Sequence, residues 1–325
     1  AAEVCRDIDE SDAVVELSAE QVRQRCSSPR FRAAAFYPGA ATVQPARLAL
    51  GLRNRLQERR GVRVFERSPV RRLRAGAWGC LAETPATRIR ASACILAIGS
   101  ASGAVGSPLR GRLTVTSSHI VLTEPVPDVL DRIGWTGGEC ITDARAMVHY
   151  MRTTPDGRIA FGWGGGRIAC GARLGGRSEL DRGIVEQVAG HLRSFFPELE
   201  GRWITHAWGG PIDVSPSHLP VLVPVGGDRV FGVFGYTGNG VGPSPMMGRI
   251  AASLALGRRD EHSSLALVDP DPRRVPAGFA SWLGGNAIRA GLVTKEAAEE
   301  NGAVADPISR ALAALPERLG FHIGR

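Results

Sequence analysis

Residues Phe234-Gly235-Tyr236-Thr237-Gly238-Asn239-Gly240-Val241-Gly242-Pro243-Ser244 form the segment best suited to chemistry. Glycines at 235, 238, 240 and 242 let another molecule approach the backbone. A helix that begins just behind them offers free N–H groups and a positive dipole end, which together attract an anion. The same spacing is also that of an ordinary glycine-rich turn from strand to helix. A second set of polar side chains lies in His149-Tyr150-Met151-Arg152. A strand here has period two, so Tyr150 and Arg152 share one face and His149 points to the other, toward a core.

The elements that must hold these residues can be read from pattern. Val230, Phe231 and Val233 form a strand before the glycine loop, and Ser244 to Leu256 a helix after it. Ser18 is an N-cap for a short helix over 18–23. Phe31 to Val43 reads as strand and turn. Gln44-Pro45 opens a helix that Gly61 ends, and Val62 to Glu66 reads as the next strand. Strands are expected over 70–81, 88–98, 113–123, 143–153, 158–163, 203–208 and 219–225. Ile184, Val188 and Leu192 mark an amphipathic helix over 181–196. Beyond Pro270 the chain is Pro-rich and then helical over 294–300 and 307–314. The expected fold is α/β (α+β). One α/β domain, over 35–110 and 220–325, is interrupted by a mostly antiparallel sheet domain over 111–219, and 1–34 is a polar N-terminal segment.

Composition narrows the function classes. With 325 residues and 43% hydrophobic content, the chain can build roughly two domains. It has no apolar run of membrane-spanning length and no signal-peptide pattern at Ala1-Ala2-Glu3. The charge of +8 and pI near 9.8 could suit nucleic acid. Lys295 is the only lysine, however, and arginine is spread along the chain. The dense stretch Arg53 to Arg74 lacks interleaved aromatics and reads as a solvated face, so no nucleic-acid partner is expected. Cys5, Cys26, Cys80, Cys94, Cys140 and Cys170 show neither CxxC nor zinc spacing. They read as reduced thiols of a cytoplasmic protein without a metal site. Gly164-Gly165-Gly166-Arg167-Ile168-Ala169 fits GxGxxA after an apolar strand, but the glycines behind it cannot carry a helix. It reads as a hairpin turn, and the dinucleotide fingerprint is absent.

Four stretches, in order, carry a family resemblance: Gln44-Pro45-Ala46-Arg47-Leu48 through Gly61 to Ser68-Pro69-Val70; Cys94 to Ser100; Trp208-Gly209-Gly210-Pro211-Ile212-Asp213 to Pro220; and Gly235 to Gly242. The chain resembles the FAD-dependent amine and amino-acid oxidoreductases, the D-amino-acid oxidase, glycine oxidase and sarcosine oxidase superfamily, in its γ-glutamylputrescine oxidase-like members. The resemblance implies FAD as cofactor and hydride transfer from an amine-bearing carbon of a small-molecule substrate. It implies flavin contacts at Val70, Ala97, Gly99, Gly235, Tyr236, Thr237, Gly238, Asn239, Gly240 and Val241, and substrate roles for Tyr150, Arg152 and Tyr37. Trp208 stands at the flavin or in the core. Asp213 and His218 either bind a cationic substrate or stabilise a turn.

Two departures matter. The N-terminal βαβ unit of the superfamily is not found. A second reading is therefore a truncated or split, non-catalytic fragment whose dinucleotide unit comes from another chain. Gly210 stands where α-amino-acid oxidases carry an arginine, which favours an amine over an α-amino acid.

Overall fold

A computed structural model describes residues 11–104, 111–172, 174–227, 229–269, 271–276 and 278–321, with Cys5 and Leu109. In chain order its main elements are β1 (Val15–Leu17), α1 (Ala19–Arg25), β2 (Ala34–Phe36), α2 (Pro45–Gln57), β3 (Arg72–Gly76), β4 (Gly79–Glu83), β5 (Arg88–Ala91) and β6 (Cys94–Leu96). There follow β7 (Thr114–Thr123), α3 (Pro127–Ile133), β8 (Cys140–Thr142), β9 (His149–Thr153), β10 (Ile159–Trp163), α4 (Arg182–Phe195) and β11 (Ile204–Val214). The last are β12 (Val221–Pro224), β13 (Val230–Phe234), α5 (Ser244–Ala255), α6 (Phe279–Glu300) and α7 (Pro307–Arg318).

The largest sheet has the order β11-β7-β10-β9-β8 and is antiparallel throughout. Alternation along its strands divides the side chains between two faces. Val121, Met151, Phe161 and Trp163 point to one face, where α4 lays Ile184, Val188, Leu192 and Phe195 against them. Asp181 caps that helix by accepting from Ile184 N–H at 3.2 Å. This is the main core. The opposite face carries Thr116, Ser118, Ile120, Tyr150, Trp208 and Ile212 and remains open to a cavity.

A smaller sheet has the order β12-β13-β6, with β13 and β6 parallel. Met247, Ile250 and Ala251 of α5 cover Phe231 and Val233. The fold is thus mixed α/β with mostly antiparallel sheets, as expected.

Local expectations changed in several places. Residues 62–66 are not a strand: Val62, Val64 and Phe65 are exposed, and among the described residues no strand pairs with them. The stretch 70–81 is a tight hairpin, β3 to β4, because Gly79 takes φ +107° and turns the chain. The stretch 88–98 divides between two sheets, β5 pairing with β4 and β6 with β13. Only 149–153 of the expected 143–153 strand is extended, because Asp143 draws the backbone of Arg145 and His149 into a turn. The strand at 31–43 shrinks to β2, and the strand at 203–208 lengthens into β11. The Pro-rich 270s lead directly into α6, of 22 residues, where only a short helix was expected. Among the described residues only the short 3-10 turn Cys170–Ala172 follows Gly164–Gly166, with no α-helix directly behind it, and the segment is not a hairpin turn either. It bulges and then resumes pairing with β7 through the Thr116–Ile168 bridge.

Candidate functional site

A cavity of about 840 Å³ lies between the open sheet face, the loop at Thr237–Asn239 and helices α6 and α7. Register explains the sheet wall. Trp208, Gly210 and Ile212 of β11 stand opposite Ile120, Ser118 and Thr116 of β7. Gly210 leaves open space there, with no atom within 4 Å of where a side chain would begin. Tyr150 stands opposite Gly162 on β10, and its ring fills the volume of the absent side chain. A Cβ on Gly162 would lie 2.2 Å from Tyr150 Cζ. The Tyr150 and Ser118 hydroxyls are 2.6 Å apart, and Ser118 also donates to the Trp163 carbonyl at 2.9 Å. Since Ser118's hydrogen goes to that carbonyl, the phenol is left to donate to Ser118. Burial raises the Tyr150 pKa, so the phenol stays protonated at neutral pH.

The glycine loop is shaped by Asp213. Its buried carboxylate accepts from Gly235 N–H at 2.6 Å, and its carbonyl accepts from Thr237 N–H at 2.9 Å. Burial outweighs these hydrogen bonds and raises the Asp213 pKa. This side chain stabilises a turn and does not line the cavity. Gly235 and Gly238 take φ +84° and +81°, and Thr237 takes φ +52°. A β-branched residue in that region is strained, by about 1–3 kcal/mol. Thr237 is held there because its Oγ1 accepts from Ser215 N–H at 3.3 Å and donates to the Gly235 carbonyl at 3.1 Å. The consequence is a row of available donors. The N–H groups of Gly238, Gly240, Val241 and Gly242 have no acceptor among the described residues. They precede the N-terminus of α5, so dipole and donors act together on negative charge.

The other expected site residues lie in different places. Thr237, Gly238, Asn239 and Tyr150 line the cavity. Tyr236 is half-buried beside it, and burial raises its pKa. Arg152 does share a face with Tyr150, but its guanidinium donates to the Val43 carbonyl and does not reach the cavity wall. Tyr37 is exposed on the turn after β2 and also lies outside the wall. Val70 is exposed. Ala97 and Gly99 follow β6, and Gly99, at φ +52°, begins a short helical turn. The next residue, Ser100, donates to the Pro211 carbonyl at 3.0 Å, which ties this turn to the cavity strand. His149 packs in the core, as its strand position implied.

Sequence reasoning missed Arg145, Met147 and Arg289 in the wall, and missed α6 as a wall at all. One signal was present: Ala280, Ser281, Gly284 and Gly285 recur at helical spacing and give α6 a narrow face. Gly285 packs so closely that a Cβ would meet Ile168 Cδ1 at 2.5 Å.

A cavity walled by an open sheet face on one side and a loop with available N–H donors on the other can hold a small molecule with a negatively charged edge. The chain belongs to the FAD dependent oxidoreductase family, whose pattern it matches over residues 2–254. It is 27% identical over 287 residues to a probable oxidoreductase, OrdL, of Rhizobium meliloti, covering 85% of this chain and 60% of that protein. It is 25% identical over 251 residues to the γ-glutamylputrescine oxidoreductase of Escherichia coli, covering 77% and 56%. The chain therefore spans a little over half the length of these relatives. A solved glycine oxidase from Bacillus cereus shares the fold, with a TM-score of 0.65 at 17% identity, covering 84% of this chain and 72% of that one. Among the described residues no helix is long and apolar enough to cross a membrane.

Proposed function

We propose that the chain is an FAD-dependent oxidoreductase that oxidises a C–N bond of an amine or amino-acid-like small molecule. The observation that carries this is the strained loop 235–242 beside the cavity, in which the N–H groups of Gly238, Gly240, Val241 and Gly242 have no acceptor among the described residues. The loop fits a flavin ring edge. Gly238 has only Ile212, at 3.8 Å, near the position of a Cβ, so a planar group can approach the backbone there. Gly238, Asn239, Gly240 and Val241 would hold that edge, and the positive end of α5 favours negative charge on it. When bound, FAD supplies a two-electron acceptor. The chain's own residues supply the rest. Trp208, Pro211, Ile212 and Met147 exclude water, and the protonated Tyr150 phenol orients a substrate polar group. The names of the relatives support nitrogen-bearing substrates, from glycine to γ-glutamylputrescine.

One observation favours a second reading. β6 pairs only with β13 among the described residues, and α2 has no buried residue. In this reading, FAD is retained only when a phosphate-binding βαβ unit, from the same or another polypeptide, covers that face.

Titrating FAD into the purified 325-residue chain tests both. Flavin absorbance that stays with the protein through gel filtration, and bleaches on adding an amine substrate without oxygen, supports the first reading. Protein that remains colourless after FAD is added excludes it for this chain alone.

A further inference from the structure

The cavity wall differs in chemistry from one side to the other. The sheet contributes hydroxyls, from Thr116, Ser118 and Tyr150. The segment before α6 and the end of α7 contribute Val275, Pro276, Leu315, Pro316, Leu319 and Phe321, with no charged side chain among them. Leu315 and Leu319 stand one helical turn apart and share a face. They are 36% and 48% exposed although they line the cavity. A ligand entering it would cover apolar area that is now open to water.

This apolar end is firmly built. Buried Arg112 pairs with Asp271 at 2.6 Å and donates to the Pro272 carbonyl. Val275 N–H donates to the Gly111 carbonyl at 2.7 Å, which fixes this segment beside the start of β7. Arg273 then reaches the end of α7. It donates to the carbonyls of Leu319 and Gly320, and its guanidinium lies 4.8 Å from the Phe321 ring centroid. The helices are packed as tightly: a Cβ on Gly291 of α6 would meet Leu312 Cβ of α7 at 2.6 Å. An apolar wall already in place spares a ligand the cost of ordering it.

We infer that Val275, Leu315, Leu319 and Phe321 form a subsite for an alkyl or aryl tail of the substrate. This inference rests on the functional reading above and deepens it: the substrate is a nitrogen compound with an uncharged apolar tail, its polar head toward the sheet hydroxyls. The subsite residues lie beyond 2–254, the part of the chain that matches the family, so this specificity belongs to the C-terminal hairpin of α6 and α7. The size agrees, since about 840 Å³ is enough to enclose a ligand much larger than a simple amine.

The test displaces a neutral fluorescent probe, phenylnaphthylamine, from the full chain with butanol, hexanol and octanol. The head group is constant, so tail length is the only variable. Each added methylene is expected to tighten binding about three- to fourfold, the transfer value of a buried CH2. Leu315→Asn combined with Leu319→Asn is expected to cut that increment to less than about twofold. Leu283→Asn, at an exposed position of α6 outside the wall, is expected to leave it unchanged. Leu319→Trp is expected to shorten the subsite, so that octanol gains nothing over hexanol. If thermal unfolding shows that the double asparagine variant does not fold, the tryptophan variant decides. A probe that does not bind, a wild-type affinity independent of tail length, an unchanged increment in the deciding variant, or an equal loss in Leu283→Asn overturns the subsite. FAD uptake is measured separately on the same protein. Tail-length dependence without flavin uptake would leave the subsite standing and remove the oxidoreductase reading; flavin uptake without tail-length dependence would do the reverse.

Discussion

The five-stranded sheet and the segment 34–70 are built from similar proportions of apolar residues yet end in opposite states. In the sheet, Val121, Phe161, Trp163, Val188 and Leu192 are buried together and α4 is held by its apolar stripe. In the other region α2 forms with a sound cap: Gln44 accepts from Arg47 N–H at 2.6 Å and Pro45 stands in the first turn. Its leucines, Leu48, Leu50, Leu52 and Leu56, are nonetheless all exposed, as is Phe65 at 66%. The difference separates two sources of order. Propensity and capping are enough to form a helix, but only packing fixes where it sits. The cavity takes its rigid wall, with Tyr150 and Trp208, from the packed region.

The largest test of this contrast is a pair of substitutions. Phe161 is 0% exposed, so Phe161→Ala is expected to cost about 3–5 kcal/mol through lost transfer energy and a residual void. Leu52 is 58% exposed, and Leu52→Ser should change stability by no more than about 0.5 kcal/mol. Urea midpoints for the two variants check this. A cost above about 2 kcal/mol for Leu52→Ser would mean that the α2 face is covered in solution, and the contrast would fail.

A smaller effect is expected where the packed region meets the glycine loop. Gly235→Ala would place a Cβ 2.7 Å from Ser215 Cβ at φ +84°. Left-handed strain and crowding together should cost about 2–3 kcal/mol and disturb Thr237. FAD affinity should fall along with stability. Normal FAD titration with a lowered urea midpoint would detach the loop geometry from the cofactor.

The glycine loop, the helix behind it and the packed α4 were legible in the sequence because each rests on local signals: glycines at turns, a cap, a 3.6-residue stripe. Tyr150 was legible too, because strand alternation alone places it opposite the core. Arg152 was not, since its place depends on the Val43 carbonyl, 109 residues away in the chain. Arg289 was invisible for the same reason. The small residues over 280–285 mark a narrow face of α6, but what makes Arg289 a wall residue is the packing of that helix across the sheet. The strand expected at 62–66 is absent and the one expected at 88–98 is split between two sheets, because pairing partners and not β propensity decided the outcome.

The packed region also holds one chain of buried polar groups that pair with each other, and pH should expose this. Asp143 Oδ2 lies 2.7 Å from His149 Nδ1, and His149 Nε2 lies 2.9 Å from His191 Nδ1. With Asp143 accepting the Nδ1 hydrogen of His149, a His191 that donates from Nδ1 to His149 Nε2 completes the chain. Burial, chiefly, with help from His149 and Arg145, lowers the His191 pKa from 6.5 to about 4. The sign follows from linkage: with the folded value depressed, the unfolded chain binds the proton first. Stability is fully present above about 6.5 and is lost as pH falls through about 4. Because His191 keeps some solvent contact, the loss over this window should be held to about 1–2 kcal/mol. His191→Gln cannot take up the proton, so the difference in its urea midpoint from that of the wild-type chain should narrow as pH falls from 7 toward 4. A constant difference across that range would show that His191 titrates alike in both states, and the sheet region would lose its claim to a dry polar core.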